Sequence, residues 1–357
     1  MLNWMLIFLP IAILLEFFAA EQHLLVFLAA ALAILPLAGW LGRATEQLAE
    51  RSGEGVGGLL NATFGNATEL IIALSALRAG LHDVVKASIV GSIVGNILLV
   101  LGAAMLAGGL RHTEQQYNAS GARSQATLLT LASIALILPA AYNAAIAARA
   151  PSGLQSLSLY IALVLLLVYG LFLVFSLVTH RNLFAGSPTT EQPHEQSAIW
   201  PMGKALLVLG LATVMIAWIS EILVGAIGPS ARQLGLSNLF VGVFVVAILG
   251  NAAEHASAIS AAMKNRMDLS LSIAIGSSVQ VALFVAPVLV LASQVLGPAP
   301  MDLAFSGGLV LSVLLAVLIT GQVAGDGRSD WLKGVQLLAV YLILALAFFF
   351  TPDPSIS

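Results

Sequence analysis

Two short stretches of the sequence place a carboxylate and a carboxamide deep inside apolar segments. The stretch Gly65-Asn66-Ala67-Thr68-Glu69 recurs as Gly250-Asn251-Ala252-Ala253-Glu254, and each copy lies in a run long enough to cross a bilayer. Charge at that depth costs at least about 2.5 kcal/mol on insertion scales, so it is rarely kept without a role. Glu69 and Glu254 are therefore the first candidates for chemistry.

Two carboxylates at the middle of a membrane repel each other, and their charge can be neutralised in two ways. Both groups can be protonated, or both can bind one divalent cation. Cation and protons then compete for the same oxygens, as in an exchange site. The structural alternative is a protonated carboxyl that ties helices together by hydrogen bonds, but the recurrence of the motif favours a site.

Ligand type indicates which cation such a site would take. Carboxylate and amide oxygens suit hard cations, and Ca²⁺ accepts about six to eight of them in loose geometry. Asn66 and Asn251 can add amide oxygens to those of Glu69 and Glu254. Since the chain has no cysteine, soft metals are less favoured than Ca²⁺. No cofactor is implied, because the ions would themselves be the substrates.

Polar residues on the helices after each motif are candidates for a supporting role. Ser92 and Ser277 occupy equivalent positions, and Asn96 and Gln280 follow them. These groups can complete the cation shell or hold the glutamates, although small and polar residues also serve helix packing. His255 follows Glu254 and is either a proton relay or a packed neutral side chain.

Composition identifies the class of protein. Of 357 residues, 59% are hydrophobic and 9% are charged, whereas soluble domains carry roughly 25% charged residues. The net charge of −3 suggests no nucleic-acid partner. Residues 1–19 are predicted to be a retained helix, because a signal peptide needs a basic start and the first Lys or Arg is Arg43. The partner is therefore the lipid bilayer, and a homo-oligomer is compatible with the sequence.

Apolar runs of spanning length predict an all-α polytopic membrane protein with eleven transmembrane helices. The runs lie at about 3–19, 24–40, 56–79, 84–108, 125–147, 156–179, 202–227, 237–263, 268–294, 301–322 and 331–350. Asp83 and Asp268 are predicted to cap the helices that they open. Residues 41–54 are either an interfacial amphipathic helix or a polar loop, and 180–201 is a polar linker.

The basic residues test this helix count. Ten of the fourteen Lys and Arg residues fall in every second loop, on the side of the membrane where the N-terminus lies. They are Arg43, Arg51, Arg111, Arg123, Arg181, Lys204, Lys264, Arg266, Arg328 and Lys333. By the positive-inside rule the N-terminus is predicted to be cytoplasmic and the C-terminus to lie on the opposite side. The compact loops suggest a prokaryotic inner membrane.

The two motifs belong to an internal repeat. Shifting the chain by 185 residues superposes the motifs and also matches Asp83 with Asp268 and Gly91-Ser92 with Gly276-Ser277. An odd number of helices separates the copies, so the second copy is inverted in the membrane, as in transporters whose site lies at the midplane. The predicted organisation is an extra helix at 1–19, five-helix repeats at 20–179 and 202–357, and the linker between them.

The motifs and the helices that follow them closely resemble the Ca²⁺/H⁺ exchanger (CAX) family of the calcium/cation antiporter superfamily. The resemblance covers about 59–102, which looks like the first α-repeat of that family, and about 241–287, which looks like the second. It implies an antiporter, not an enzyme, in which Glu69 and Glu254 carry Ca²⁺ and H⁺ alternately. The Asn, Ser and Gln positions named above would support that site.

Three alternatives stay open from the sequence. The first is an exchanger that is coupled to Na⁺ or carries other divalent cations such as Mn²⁺ and Cd²⁺. Related Na⁺/Ca²⁺ exchangers generally carry more acidic groups at the site, which favours protons here. A passive cation channel and a scaffold without transport are the other two, and the inverted repeat argues against the channel.

Overall fold

The computed structural model describes residues 3–146, 151–180 and 200–351, and nearly all of them are helical. The helices are α1 (Asn3–Phe18), α2 (His23–Phe64), α3 (Ala67–Arg78), α4 (His82–Gly109), α5 (Ala119–Ile146), α6 (Pro151–Val174, extended by a π-helical turn, Phe175–Thr179), α7 (Met202–Leu234), α8 (Asn238–Met263), α9 (Met267–Ala292), α10 (Gly307–Val323) and α11 (Trp331–Phe349). Strand β1 (Gln115–Gln116) pairs antiparallel with β2 (Arg328–Ser329).

The helical membrane class is confirmed, while the count of eleven crossings stays a prediction. Within the described residues, eight helices are long and apolar enough to span a bilayer: α2 over His23–Ser52, α4, α5, α6 over Gly153–Thr179, α7, α8, α9 and α11. Helices α1 and α10 are apolar but shorter, and α3 has 12 residues. The predicted linker at 180–201 lies almost entirely outside the described residues.

The helices differ in how much of their apolar surface the protein itself covers. The most apolar window is 83% buried in α4 and 72% buried in α9, but only 17% buried in α6 and in α11. Helices α4 and α9 therefore form the centre of the molecule, and α6 and α11 face outwards. The long helices α2 and α7 pack against each other; α2 also packs on α8, and α7 on α3.

The prediction of separate helices at 24–40 and 56–79 is wrong at their junction. Helix α2 continues to Phe64, because residues 41–52 are mostly good helix formers and contain no proline. The polar-loop alternative for 41–54 is thereby excluded. A straight helix of 42 residues would measure about 63 Å, twice the thickness of the bilayer core. A Cβ on Gly57 would meet the carbonyl of Ala49, so the helix is sharply bent between them.

Two further predictions about helix starts are wrong. Neither Asp83 nor Asp268 caps its helix: the residues preceding α4 and α9 are Leu81 and Arg266. Instead, Asp268 accepts a hydrogen bond of 2.6 Å from the backbone N–H of Asn118. The carboxylate of Asp268 lies inside the first turn of α9 and bonds to the neighbouring loop that contains Asn118.

The helix predicted at 301–322 begins later, at Gly307. The preceding residues 301–305 are non-helical although Met301, Leu303 and Phe305 are buried. Serine hydroxyls accept their backbone N–H groups, from Ser293 to Met301 at 2.8 Å and from Ser158 to Leu303 at 2.9 Å. Apolar content predicted a helix here, but side-chain hydrogen bonds satisfy this backbone in an irregular form.

Contacts between loops divide the molecule into two faces. On one face, called the basic side, the segments 110–118, 264–266 and 324–330 meet. Gln115 donates to the carbonyl of Ala262 at 2.8 Å, Tyr117 donates to that of Val323 at 3.0 Å, and Arg123 donates to that of Gly325. These segments are among those that the charge pattern places together on one side of the membrane.

On the opposite face, the irregular segment 293–306 is anchored to the start of α4. Lys86 Nζ lies 2.7 Å from Asp302 Oδ1 and 2.9 Å from the carbonyl oxygen of Ala304. Asp302→Ala should therefore lower the free energy of unfolding by about 1–3 kcal/mol, because it leaves a largely buried ammonium with one partner. The measurement is thermal unfolding in detergent.

The control for Asp302→Ala is Glu221→Ala. Glu221 forms an ion pair with Arg78 at 3.1 Å, but both side chains are more than half exposed. Its loss should change the free energy of unfolding by less than about 1 kcal/mol. Equal effects of the two substitutions would contradict a structural role for the Lys86 pair.

Candidate ion-binding site

The two repeated motifs cross each other at the centre of the molecule. Asn66 lies at the break between α2 and α3, Glu69 lies in the first turn of α3, and Glu254 lies within α8. A Cβ on Gly250 would be 3.3 Å from Cβ of Glu69, and a Cβ on Gly65 would be 3.4 Å from Oε1 of Glu254. The glycine of each motif therefore packs against the glutamate of the other.

The glutamates are a buried carboxyl, Glu69, and a half-buried one, Glu254, and both have unpaired oxygens. Glu69 is 4% exposed, and neither of its carboxyl oxygens has a hydrogen-bond partner among the described residues. Oε2 of Glu254 is also unpaired. The carboxyls are close enough to interact electrostatically, and Ser92 and Asn251 lie beside Glu69. Because leaving buried oxygens unpaired is costly, these atoms are suited to a cation or a proton.

A continuous chain of hydrogen bonds joins four helical segments beside the glutamates. Asn66 donates to Oε1 of Gln280 at 2.5 Å, and Ser277 donates to Oδ1 of Asn66 at 3.0 Å. Asn96 donates to the hydroxyl of Ser277 at 3.0 Å, and Nε2 of His255 lies 3.0 Å from Oδ1 of Asn96. Since that oxygen only accepts, Nε2 of His255 carries the hydrogen. Every hydrogen bond of the chain is then donated in one direction, from His255 towards Gln280.

The second asparagine has a different environment. Asn251 donates to the hydroxyl of Ser92 and to the carbonyl of Ala247, both at 3.0 Å. Its partners include the repeat equivalent of Ser277 but no counterpart of Gln280. The structure thus brings all nine predicted site residues together, with the Asn66 chain longer than the Asn251 pair.

A cavity of about 910 Å³ reaches one of the two glutamates. It lies between α2, α8 and the first half of α9, and its lining includes Glu254, Ser277 and Gln280. Arg43 and Glu46 also line it, towards the basic side. Glu69 is not among the lining residues. The two carboxylates therefore differ in access in this conformation, which the symmetry of the motifs does not predict.

Sequence reasoning missed two local features of the site. Helices α4 and α9 contain π-helical turns at Gly95–Val100 and Val281–Val285, which are repeat-equivalent and follow Ser92 and Ser277. Such turns concentrate at functional sites, but composition gives no signal for them. Gln125 of α5 was also missed: its amide nitrogen would lie 3.6 Å from a Cβ on Gly276, next to Ser277.

The hydrogen-bond chain gives a testable prediction. Ser277→Ala removes the hydroxyl that both accepts from Asn96 and donates to Asn66, so two buried amide groups lose a partner. We expect the half-saturating concentration of a divalent cation that binds at this site to rise by about tenfold. The control is Ser257→Ala, in the same cavity, whose hydroxyl donates at 3.0 Å to the carbonyl of Ala253 in its own helix and, among the described residues, to no other group. Equal behaviour of the two variants would contradict a role for the chain.

Comparisons with known proteins cover nearly the whole chain. The family model described as sodium/calcium exchanger protein matches residues 22–178 and 204–350. The chain is 46% identical over 362 residues to a Ca²⁺/H⁺ antiporter of Aphanothece halophytica, covering 98% of this chain and 96% of that protein. It is 44% identical over 317 residues to the Ca²⁺/H⁺ antiporter ChaA of Bacillus subtilis, covering 88% and 89%.

Solved structures agree with this relationship. The structure of native YfkE aligns with a TM-score of 0.81 and 39% identity, covering 96% of this chain and 97% of that one. An H⁺/Ca²⁺ exchanger CAX aligns with a TM-score of 0.69 and 16% identity, covering 98% and 91%. At 16% identity, the match to the exchanger CAX shows a similar fold and nothing more.

Proposed function

The chain belongs to the sodium/calcium exchanger protein family, and within it we propose that this protein is a secondary active antiporter that exchanges cytosolic Ca²⁺ for H⁺. The resemblance to the Ca²⁺/H⁺ exchanger family inferred from the motifs is confirmed by the two relatives named Ca²⁺/H⁺ antiporter, at 46% and 44% identity. The family is one of membrane transporters. The names of these relatives support the choice of Ca²⁺ and H⁺ as substrates.

The observation that carries the proposal is the crossing of the two motifs. It brings the buried Glu69 and the half-buried Glu254 together, with unpaired carboxyl oxygens on both. Glutamates and amides provide oxygen ligands, which suit Ca²⁺. Groups of three or more His, Cys, Asp or Glu that could hold a metal do not occur in the described part of the chain. The two carboxyls of the proposed site, Glu69 and Glu254, would be neutralised by two protons as completely as by one Ca²⁺.

The proposed mechanism is alternating access across an inverted repeat. Glu254 faces the cavity that leads to the basic side, which we assign to the cytoplasm by the positive-inside rule. Ca²⁺ enters there, binds both carboxylates and displaces their protons; after the conformational change, protons on the far side displace Ca²⁺. Exchange of one Ca²⁺ for two protons would leave the charge of the site unchanged.

The organisation that goes with this mechanism is eleven crossings, an extra helix at 1–19 and repeats at 20–179 and 202–357. The two matched stretches of the family model, residues 22–178 and 204–350, support this division. So do the recurrence of the π-helical turns and the pairing of α2 with α8 and of α7 with α3. We place the protein in a prokaryotic inner membrane, with a cytoplasmic N-terminus.

Proteoliposomes test the proposal. Purified protein in vesicles with an acidic interior should accumulate Ca²⁺ from a Na⁺-free medium, and a protonophore that collapses the gradient should release it. Matched vesicles with a Na⁺ gradient and no pH gradient should not accumulate Ca²⁺. Uptake driven by Na⁺ alone, or uptake that only follows the Ca²⁺ gradient, would replace the proposal with a Na⁺-coupled exchanger or a channel.

A further inference from the structure

The first half of α4 and the start of α8 are locked together by two glycines. A Cβ on Gly242 would lie 2.6 Å from Cβ of Ala87 and 3.2 Å from the carbonyl oxygen of Val84. A Cβ on Gly91 would lie 2.6 Å from Cα of Val243. Because neither position has room for a side chain, this seam is closed by direct contact of backbones. It lies towards the face that carries Lys86 and Asp302.

The repeat predicts an equivalent seam on the basic side between α2 and α9. The counterparts of Gly242, Val243 and Gly91 are Gly57, Gly58 and Gly276, and those of Val84 and Ala87 are Leu269 and Ser272. The three residues Gly57, Gly58 and Gly276, whose equivalents make the backbone contacts of the closed seam, are all glycines. The sequence is therefore compatible with the same close approach at this second seam.

In this structure the second seam is open. Leu269 and Ser272 line the cavity, and Ser272 is exposed whereas Ala87 is fully buried. A Cβ on Gly57 would meet Ala49 of its own helix, and one on Gly58 would meet Leu177. Within the described part of the chain, α2 and α9 do not pack extensively on each other at the second seam. At the first seam, α4 and the start of α8 pack closely.

We propose that these two seams are alternating seals, and that in the other conformation Gly57 and Gly58 of α2 pack onto Ser272 and Gly276 of α9 as Gly242 and Val243 now pack onto Ala87 and Gly91. Closing the second seam fills the cavity below Glu254, and opening the first gives Glu69 a path to the far side. The inference rests on the proposed exchange function. It adds the specific contacts that close each side.

An alanine at Gly276 tests the seal, because it fits the present structure but not the closed second seam. A Cβ on Gly276 would lie 3.6 Å from the amide nitrogen of Gln125, whereas a Cβ on the equivalent Gly91 would lie 2.6 Å from Cα of Val243. Gly276→Ala should therefore bind Ca²⁺ like the natural protein but transport it about tenfold more slowly, because the second seam cannot close. Transport by Gly276→Ala at the natural rate would overturn the proposal.

Two single cysteine variants provide an independent test, because the natural chain has no cysteine. Ser272→Cys should react with a membrane-impermeant thiol reagent applied to the basic side, at a rate that changes between Ca²⁺-loaded and protonated protein. Ala87→Cys, its buried repeat equivalent, should be unreactive from that side under all conditions. Reaction of Ser272→Cys at one constant rate in every ion condition would overturn the seal.

The outcomes separate the seal from the exchange function. Normal proton-driven uptake by Gly276→Ala would reject the seal and leave Ca²⁺/H⁺ exchange in place. Absence of proton-driven uptake in the natural protein would reject the exchange function itself.

Discussion

Glu69→Gln and Glu254→Gln should each reduce proton-driven Ca²⁺ uptake by at least about a hundredfold while the protein still folds. Altering an outer-shell partner of a metal ligand already costs about 10- to 100-fold in affinity or activity, so loss of a ligand charge should cost at least as much. Glutamine keeps the size of the side chain, so the packing of Gly65 and Gly250 against it is preserved. Uptake into proteoliposomes and elution from a sizing column measure the two effects.

Glu221→Gln is the matched control for these substitutions. It removes a carboxylate of the same length from an exposed ion pair with Arg78, away from the cavity lining. Uptake should stay within about twofold of the natural protein, since exposed pairs contribute little. Near-normal transport by either Glu69→Gln or Glu254→Gln would show that the carboxylate is not a required ligand.

Gly250→Leu should give the second large effect, a loss of uptake of about 10- to 100-fold. The new side chain would have to occupy the space of Glu69, whose Cα and Cβ lie 3.4 and 3.3 Å from the position of a Cβ at residue 250. Displacement of a reacting group by about 1 Å can cost this much activity. Gly250→Ala should be milder, because the neighbouring atoms need to move by only a few tenths of an ångström.

Gly225→Leu controls for the general cost of a large residue at a helical glycine. Gly225 lies in α7, is exposed, and has open space where its Cβ would be. Uptake by this variant should stay within about twofold of the natural protein, because no packed neighbour has to move. If Gly225→Leu and Gly250→Leu lose activity equally, contact with Glu69 is not the cause.

The candidate site could be predicted from the sequence because charged residues are rare in membrane-spanning segments. Few roles explain a glutamate in the middle of an apolar run, and the repeat contains one such glutamate in each copy, Glu69 and Glu254. Which side chains meet was not predictable. Asn66 and Gln280 are 214 residues apart in the sequence, and Asn96 and Ser277 are 181 apart. Helix periodicity carries no information on contacts between helices that are so distant in the sequence.

The fold was less predictable where hydropathy and local structure disagree. Residues 41–52 form helix because propensity is local, although their charges suggested a break between two spans. Residues 301–305 are apolar and buried without being helical, because serines satisfy their backbone. Access also escaped prediction: the repeat treats Glu69 and Glu254 alike, while the cavity reaches only Glu254.

The central claim is that Ca²⁺ and protons compete for the same two carboxylates, and proton release on Ca²⁺ binding tests it most directly. Purified protein in weakly buffered detergent solution receives Ca²⁺ while a pH dye and a Ca²⁺ dye are recorded together. The account predicts that bound Ca²⁺ displaces protons, that acidification weakens Ca²⁺ binding, and that Glu69→Gln and Glu254→Gln each abolish both effects. Tight Ca²⁺ binding with no proton release, unchanged in either variant, would contradict it.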